Sequence, residues 1–294
     1  MTQTTEATVD GETVRRRGWG WLLLIPGLLY LGVFFVFPTV QLFFTSLYDP
    51  SGSFEQGYDM TWHFGNYVDA VQDNWNLFVR SFVYAGTATI LCLALGYPLA
   101  YAIAFKAGRW KHVMLVLVIA PFFTSFLLRT LSWRTILSDE GPVTNFLQAI
   151  AVLPDDGRLL ATPVAVIAGL TYNFMPFMTL PIFASLDKVD YRLVEASNDL
   201  YASPFTGFRK VTWPLSMPGV VAGTLLTFIP ACGDYINAEL LGTPKQYMVG
   251  NRIQQAFLTE HNYPLAAILS LILMVVVVAM VVVYVRRAGT EDLL

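Results

Sequence analysis

The sequence predicts an all-α integral membrane protein with six transmembrane helices. Two observations carry this. Five stretches, residues 20–47, 81–105, 159–186, 214–233 and 264–285, contain no Asp, Glu, Lys or Arg, and a sixth, 112–136, carries only Arg129 and Arg134. Each is long enough to cross a hydrocarbon core of roughly 30 Å, which takes about 20 helical residues. Charged residues make up 13% of the 294-residue chain, against about 25% in soluble domains, and they gather between those stretches.

Taken in order, residues 1–18 form a polar tail ending in Arg15, Arg16 and Arg17, which precede Trp19 and Trp21 as anchors at a membrane entry. The first span, about 20–47, exceeds the roughly 7–15 apolar residues of a signal-peptide core and has no small-residue cleavage site, so it is expected to stay in the protein. A turn-rich loop, 48–79, includes YDPSGSFEQGYD. Spans follow at about 80–105 and 112–136, then a second turn-rich loop, 137–158, with VLPDDGR. The remaining spans are about 160–186, 214–234 and 263–285, with a polar loop at 187–213 and a short tail at 287–294. No repeat, low-complexity tract or linker divides residues 19–286, which read as one membrane domain. Cys92 and Cys232 sit in apolar surroundings and behave as small hydrophobes.

Loop charge sets the expected orientation. With the N-terminus inside, the inner segments hold Arg15, Arg16, Arg17, Lys106, Arg109, Lys111, Lys188, Arg192, Arg209, Lys210, Arg286 and Arg287, which is twelve of the 18 basic residues. The loop at 48–79 has five carboxylates and no base, and 137–158 has four against Arg158. This is the positive-inside pattern, with both termini and the 187–213 loop in the cytoplasm.

That inner loop reads as two short helices. Asp187 or Asp190 caps the first, which carries Leu193, Val194, Ser197 and Leu200 at helical spacing. Ser203 followed by Pro204 starts the second, with Phe205, Phe208, Val211 and Thr212 on one side and Arg209 and Lys210 near its end. Helices this short are marginal alone. Their cover is either the protein's own helix ends and the headgroup layer, or a separate soluble subunit.

The segment VEASNDLYASPFTGFRKVTWPLSMPG resembles the cytoplasmic motif of permease subunits of bacterial ABC importers. That motif is a Glu-Ala-Ala triplet followed by a Gly and an apolar-Pro ending. Here it reads Glu195, Ala196 and Ser197, with Tyr201 where the Gly is usual, and Pro214 with Leu215. A Tyr there implies a different turn, with Ala202 and Ser203 taking the bend. The stretches LLRTLSWRTILSDEGPVTNFL and FIPACGDYINAELLGTPKQYMVGNRIQ resemble those of spermidine/putrescine-type permeases.

The resemblance implies the type I importer fold in a bacterial inner membrane. It implies a coupling segment, built on Glu195, Ala196, Ser197, Tyr201, Ser203, Pro204, Phe205, Phe208, Arg209 and Pro214, that seats on an ATPase subunit. The implied partners are a second, homologous permease, two ATPase copies holding the ATP and Mg, and an extracytoplasmic binding protein. The implied cargo is a polyamine, with another small amine or organic solute as the alternative.

Polar groups within spans are the candidates for a substrate path. Asp234 beside Tyr235, after Pro230 and Gly233, offers a carboxylate and an aromatic face to an alkylammonium group; it equally marks the outer interface. Glu239 falls just beyond. Tyr172 and Asn173 near Pro176 suit either a path or a hydrogen-bonded helix contact. Trp133 lies between Arg129 and Arg134, two residues expected to snorkel outward. Gly219 and Gly223 allow close helix approach.

Several classes are excluded. There is no GxxxxGK[ST] phosphate loop, so energy must come from a partner. His63, His112 and His261 form no metal-ligand spacing with one another or with Cys. Neither a nucleophile–base arrangement nor a basic patch for nucleic acid is present, so the chain reads as non-enzymatic. An ion-coupled transporter would need embedded carboxylates, and only Asp234 approaches that; a non-transporting scaffold would need no gated path.

Overall fold

The computed structural model describes residues 20–49, 52, 55, 57–199 and 201–288. The predicted tail at 1–18 with its three arginines, Leu200 and residues 289–294 of the C-terminal tail lie outside them.

The chain runs through thirteen α-helices among the described residues. The first charge-free stretch gives α1 (Gly20–Leu31) and α2 (Phe37–Thr45), joined by a π turn over Gly32–Val36. From Leu24 to Phe44 most side chains are exposed, Phe34 at 68%, so they need lipid or a neighbour to cover them. α3 (Gly65–Tyr101) begins well before the predicted span at 80 and continues through a π turn, Ala102–Lys106. Its early turns carry Asp69 and Asp73, so hydropathy alone reads them as loop, yet Asn66, Ala70, Asn74 and Phe78 recur on one buried stripe.

The third stretch is not one straight helix. α4 (Lys111–Ile119) tightens into a 3-10 turn, Ala120–Phe123, and breaks before α5 (Phe126–Ile136), the two halves meeting at 95°. Pro121 lacks the N–H that would continue the ladder. Thr124 (φ −102°, ψ 151°) and Ser125 (φ −57°, ψ 137°) are extended. α6 (Pro142–Ala149) follows, then α7 (Pro163–Leu186), capped by Thr162, whose hydroxyl accepts the Ala165 N–H at 3.3 Å. α8 (Tyr191–Asp199) and α9 (Pro204–Gly207) lie between α7 and α10 (Trp213–Cys232). Short α11 (Ile236–Leu241) and α12 (Val249–Leu258) precede α13 (Tyr263–Ala288), the most apolar span at mean hydropathy 3.2. Among the described residues no strand forms beyond an isolated bridge between Tyr48 and Met60.

The core lies where α3, α7 and α10 meet. Ala85, Ala88, Cys92, Leu170, Met178, Ile182 and Leu186 are fully buried there. Small residues set the spacing. A Cβ on Gly96 would meet the Thr179 hydroxyl at 2.9 Å, one on Gly219 the Pro181 carbonyl at 2.5 Å, and one on Gly223 the Met178 carbonyl at 3.0 Å. In lipid, where apolar burial between helices gains little, such close approach is a main source of association. Gly219→Val is therefore expected to cost about 3 kcal/mol through overpacking, seen as a lower thermal midpoint in detergent. Gly86, where a Cβ meets nothing within 4 Å, supplies the control: Gly86→Ala should hold the midpoint or raise it slightly, since Ala favours a helix interior over Gly.

Candidate functional site

Two groups of residues carry the functional reading: the α8–α9 segment and a polar and aromatic cluster inside the bundle.

α8 starts at Asp190, whose carboxylate accepts the Arg192 N–H at 3.0 Å. Of the two predicted capping residues, Asp187 has another role. It closes α7 and pairs with Lys111 at the start of α4, while the Lys111 ammonium stands 5.3 Å from the Phe183 ring centroid. α9 starts as its sequence dictates, the Ser203 hydroxyl accepting the Thr206 N–H at 3.3 Å with Pro204 at the first helical position.

The turn between them corrects the expectation for Tyr201. Ala202 and Ser203 do not take the bend. Tyr201 itself adopts the left-handed conformation, φ 57°, that a Gly would supply. The Ala202 N–H then donates to the Ser197 carbonyl at 3.1 Å, the six-to-one bond of a Schellman cap. A non-glycine residue in that region costs about 1 kcal/mol. Tyr201→Gly is therefore expected to raise hydrogen-exchange protection around Ser197–Ala202 by roughly fivefold, with the rest of the chain unchanged.

The two short helices touch at Gly207, where a Cβ would lie 2.8 Å from the Ser197 hydroxyl. Ser197 is buried and Val194 half-buried, whereas Leu193 is 50% exposed, so the inward face is narrower than predicted. Phe205 does not share a side with Phe208 and Thr212. It is 71% exposed and Tyr201 99%, and Glu195, Ala196, Arg209 and Pro214 are exposed as well. A π turn, Phe208–Thr212, follows directly, so constant helical spacing does not describe the segment.

Phe208 turns inward. Its ring stands 5.6 Å from that of Tyr97 on α3, and Tyr97 stands 5.2 Å from Trp213 at the head of α10. The Tyr97 hydroxyl and the Ser216 hydroxyl share a 2.8 Å hydrogen bond. Tyr97 ties the segment to a second helix, a contact missed in the sequence because one aromatic in an apolar run reads as core.

Within the bundle, Trp133 on α5 meets Tyr172 on α7 edge-on at 5.3 Å. One residue along, the Asn173 side-chain amide donates to the Thr130 hydroxyl at 3.2 Å and to the Asn237 side-chain oxygen Oδ1 at 3.0 Å. Asn237 in turn donates its backbone N–H and its amide to Oδ1 of Asp234, at 2.9 and 3.2 Å. Thr130, Asn173, Asn237 and Asp234 thus form one polar chain across α5, α7 and the start of α11. The Asn173 side-chain oxygen is buried without a partner. Asp234 is at once a helix-start acceptor and a member of this chain. Asn237 and Thr130 were not singled out in the sequence; the Asp-x-x-Asn spacing of a helix start was the available signal. Tyr235 and Glu239 are exposed and outside the chain.

The arginines differ. Arg134 is exposed, whereas Arg129 is half-buried, its guanidinium 5.4 Å from the Phe122 ring centroid and 5.6 Å from that of Phe126. In the loop after α5, Arg158 holds both oxygens of Asp139, at 3.0 and 2.6 Å, and this keeps the Asp139 carboxyl below its ordinary range.

No metal-ligand group of three or more His, Cys, Asp or Glu occurs among the described residues. A bundle of apolar helices with a polar seam, and an outward-facing helical pair fixed to two of them, is the build of a membrane transport component. The chain belongs to the binding-protein-dependent transport system inner membrane component family, whose pattern it matches over residues 93–288. It is 36% identical to the spermidine/putrescine transport system permease protein PotB of Haemophilus influenzae over 278 residues, 90% of each chain. It is 34% identical to the protein of the same name in Escherichia coli over 273 residues, 92% of this chain and 94% of that one. Its fold matches a bacterial ABC transporter involved in import of the acidic polysaccharide alginate, with a TM-score of 0.66 at 18% identity over 92% of this chain and 95% of that one. It is a membrane-spanning, non-enzymatic ABC-importer permease subunit with the type I fold.

Proposed function

We propose that this permease imports polyamines of the spermidine/putrescine class, passing them from an extracytoplasmic binding protein to the cytoplasm by alternating access. The relatives' names support the cargo class. The observation that carries the mechanism is the α8–α9 pair: outward-facing Tyr201 and Phe205 on one side, Tyr97, Phe208 and Trp213 on the other. In this reading residues 187–213 face the cytoplasm, as do both termini, within a single permease domain over 19–286. A second, homologous permease completes the membrane unit. Of the two ATPase subunits, one docks on Glu195, Ala196, Tyr201, Phe205 and Arg209 of this chain, with Ser197, Ser203, Pro204, Phe208 and Pro214 shaping the segment.

ATP and Mg belong to those ATPase subunits, and this chain needs no cofactor. Closure of the ATPase pair pushes α8 and α9, and the push passes through Phe208 into α3 and α10. The cargo's ammonium groups meet Asp234, the Asn173 oxygen and the faces of Trp133, Tyr172 and Tyr235, with Glu239 at the outer approach. Reconstituted with its partners, the complex is expected to hydrolyse ATP faster with spermidine or putrescine on the binding protein. Stimulation by a different solute class, and none by any amine, would refute the cargo assignment while leaving the permease role intact.

A further inference from the structure

We infer that the cleft between α2, α12 and α13 is a second amine site, which holds an alkylammonium group by aromatic faces and uncharged oxygens. Its use as a waiting place for cargo rests on the polyamine reading; its binding chemistry does not. The cleft has a volume of about 460 Å³, and none of Thr130, Asn173, Asp234 or Asn237 lines it. α10 leads from the α8–α9 segment to the other end of the bundle, where α11, α12 and the head of α13 follow. The cleft therefore lies at the end away from the coupling segment.

Three hydroxyls in its lining each donate their proton to a main-chain carbonyl. Thr45 donates to Gln41 at 3.0 Å, Tyr58 to His261 at 2.7 Å and Ser270 to Ala266 at 2.8 Å. A hydroxyl has one proton and two lone pairs, so toward a ligand these oxygens can only accept. The rings add to this. Tyr263 stands 5.2 Å from Phe257 and 6.1 Å from Tyr58, at interplanar angles of 61° and 67°. Rings set edge to face do not stack shut, and Phe257 is 52% exposed. An aromatic face attracts a cation by about 0.5–2 kcal/mol.

Charge around the cleft points the same way. Among the described residues no Lys or Arg lines it. Asp49 and Asp59 adjoin the lining residues Tyr48 and Tyr58, and the Asp49 N–H donates to the Asp59 carbonyl at 3.0 Å, which brings the two acidic residues to one rim. Arg252, next to Ile253 on α12, is paired with Glu260 at 2.7 Å. Other ligands fit less well. An anion finds no cation in the lining. A lipid chain covers the acceptor oxygens without giving them a donor. A neutral polyol lacks the charge that the ring faces attract. With no carboxylate in the lining, the cleft holds an amine loosely enough to pass it on.

The test uses the full complex in lipid nanodiscs, without the binding protein, and an alkylamine bearing a diazirine as photo-probe. The probe should label the peptides of this chain that carry Tyr58 and Phe257. Excess putrescine should block that labelling, and a butanediol of the same length should not. Tyr263→Leu should raise the putrescine concentration that halves labelling by about tenfold, while Tyr263→Phe, which keeps the ring, should stay near wild type. Thr45→Val combined with Ser270→Ala, which keeps every ring and removes two acceptors, should raise it by about fivefold. Labelling confined to other peptides, equal block by the diol, or an unchanged putrescine concentration in both Tyr263→Leu and the double variant would overturn the site. If amines label the cleft but no amine on the binding protein speeds ATP hydrolysis, the site stands and the cargo assignment fails. If amines speed hydrolysis and the cleft is not labelled, this inference alone fails.

Discussion

Phe205→Asp should strip the ATPase subunit from the complex while leaving this chain folded. Phe205 is 71% exposed and Tyr201, four residues earlier across the turn, is 99% exposed. Two aromatic side chains displayed at the tip of a short helical pair add little to the chain's own core. A surface change there should shift its stability by no more than about 0.5 kcal/mol. At an interface the same ring is another matter, since a buried aromatic anchor contributes about 2–4 kcal/mol when removed. Asp also adds an unpaired charge to the seat. ATPase retention on a tagged permease should fall about thirtyfold or more, and uptake with it, while the thermal midpoint holds. Retention equal to wild type would mean that Phe205 does not seat on the ATPase.

Tyr97→Ala should have an effect of similar size at a different step. Tyr97 is 6% exposed and touches Phe208 in the π turn, Trp213 at the head of α10, and the Ser216 hydroxyl. Its removal leaves a cavity between the docking segment and α3, at a cost of about 3–5 kcal/mol. Because Phe205 and Tyr201 are untouched, the ATPase should still bind and hydrolyse ATP. The push from it no longer reaches α3, so cargo moved per ATP hydrolysed should fall about tenfold. Tyr97→Phe keeps the ring and loses only the hydroxyl bond, worth about 1 kcal/mol, and should retain most of the coupling. Equal loss in both variants would point to the hydrogen bond rather than the packed ring.

The spans were readable because absence of charge over 20 or more residues has one physical cause in a helical chain. What was hidden follows from the same fact. Hydropathy measures partition into lipid, not helix formation, so it missed the polar first turns of α3 and passed over the break at Thr124–Ser125. Pro121 was the local sign of that break. The two-helix form of residues 187–213 was legible, down to Ser203 and Pro204 at the start of α9. Its surface was not, because helical spacing assumes a constant pitch, whereas the segment passes from an α turn into a π turn at Phe208–Thr212. The polar seam was half legible. Asp234 and Asn173 stood out as polar groups in apolar runs, whereas Asn237 and Thr130 acquire meaning only when three helices bring them within hydrogen-bonding distance.

The central claim is that α8 and α9 take force from a docked ATPase on the cytoplasmic side. Its most direct test is the accessibility of a cysteine at position 201. Cys92 and Cys232 are fully buried, so Tyr201→Cys supplies the reactive thiol for a membrane-impermeant maleimide. In inside-out vesicles without the ATPase it should label fast, and adding the ATPase should slow labelling by about tenfold or more, with right-side-out vesicles unlabelled throughout. Labelling from the outer side, or an undiminished rate with the ATPase bound, would contradict the account.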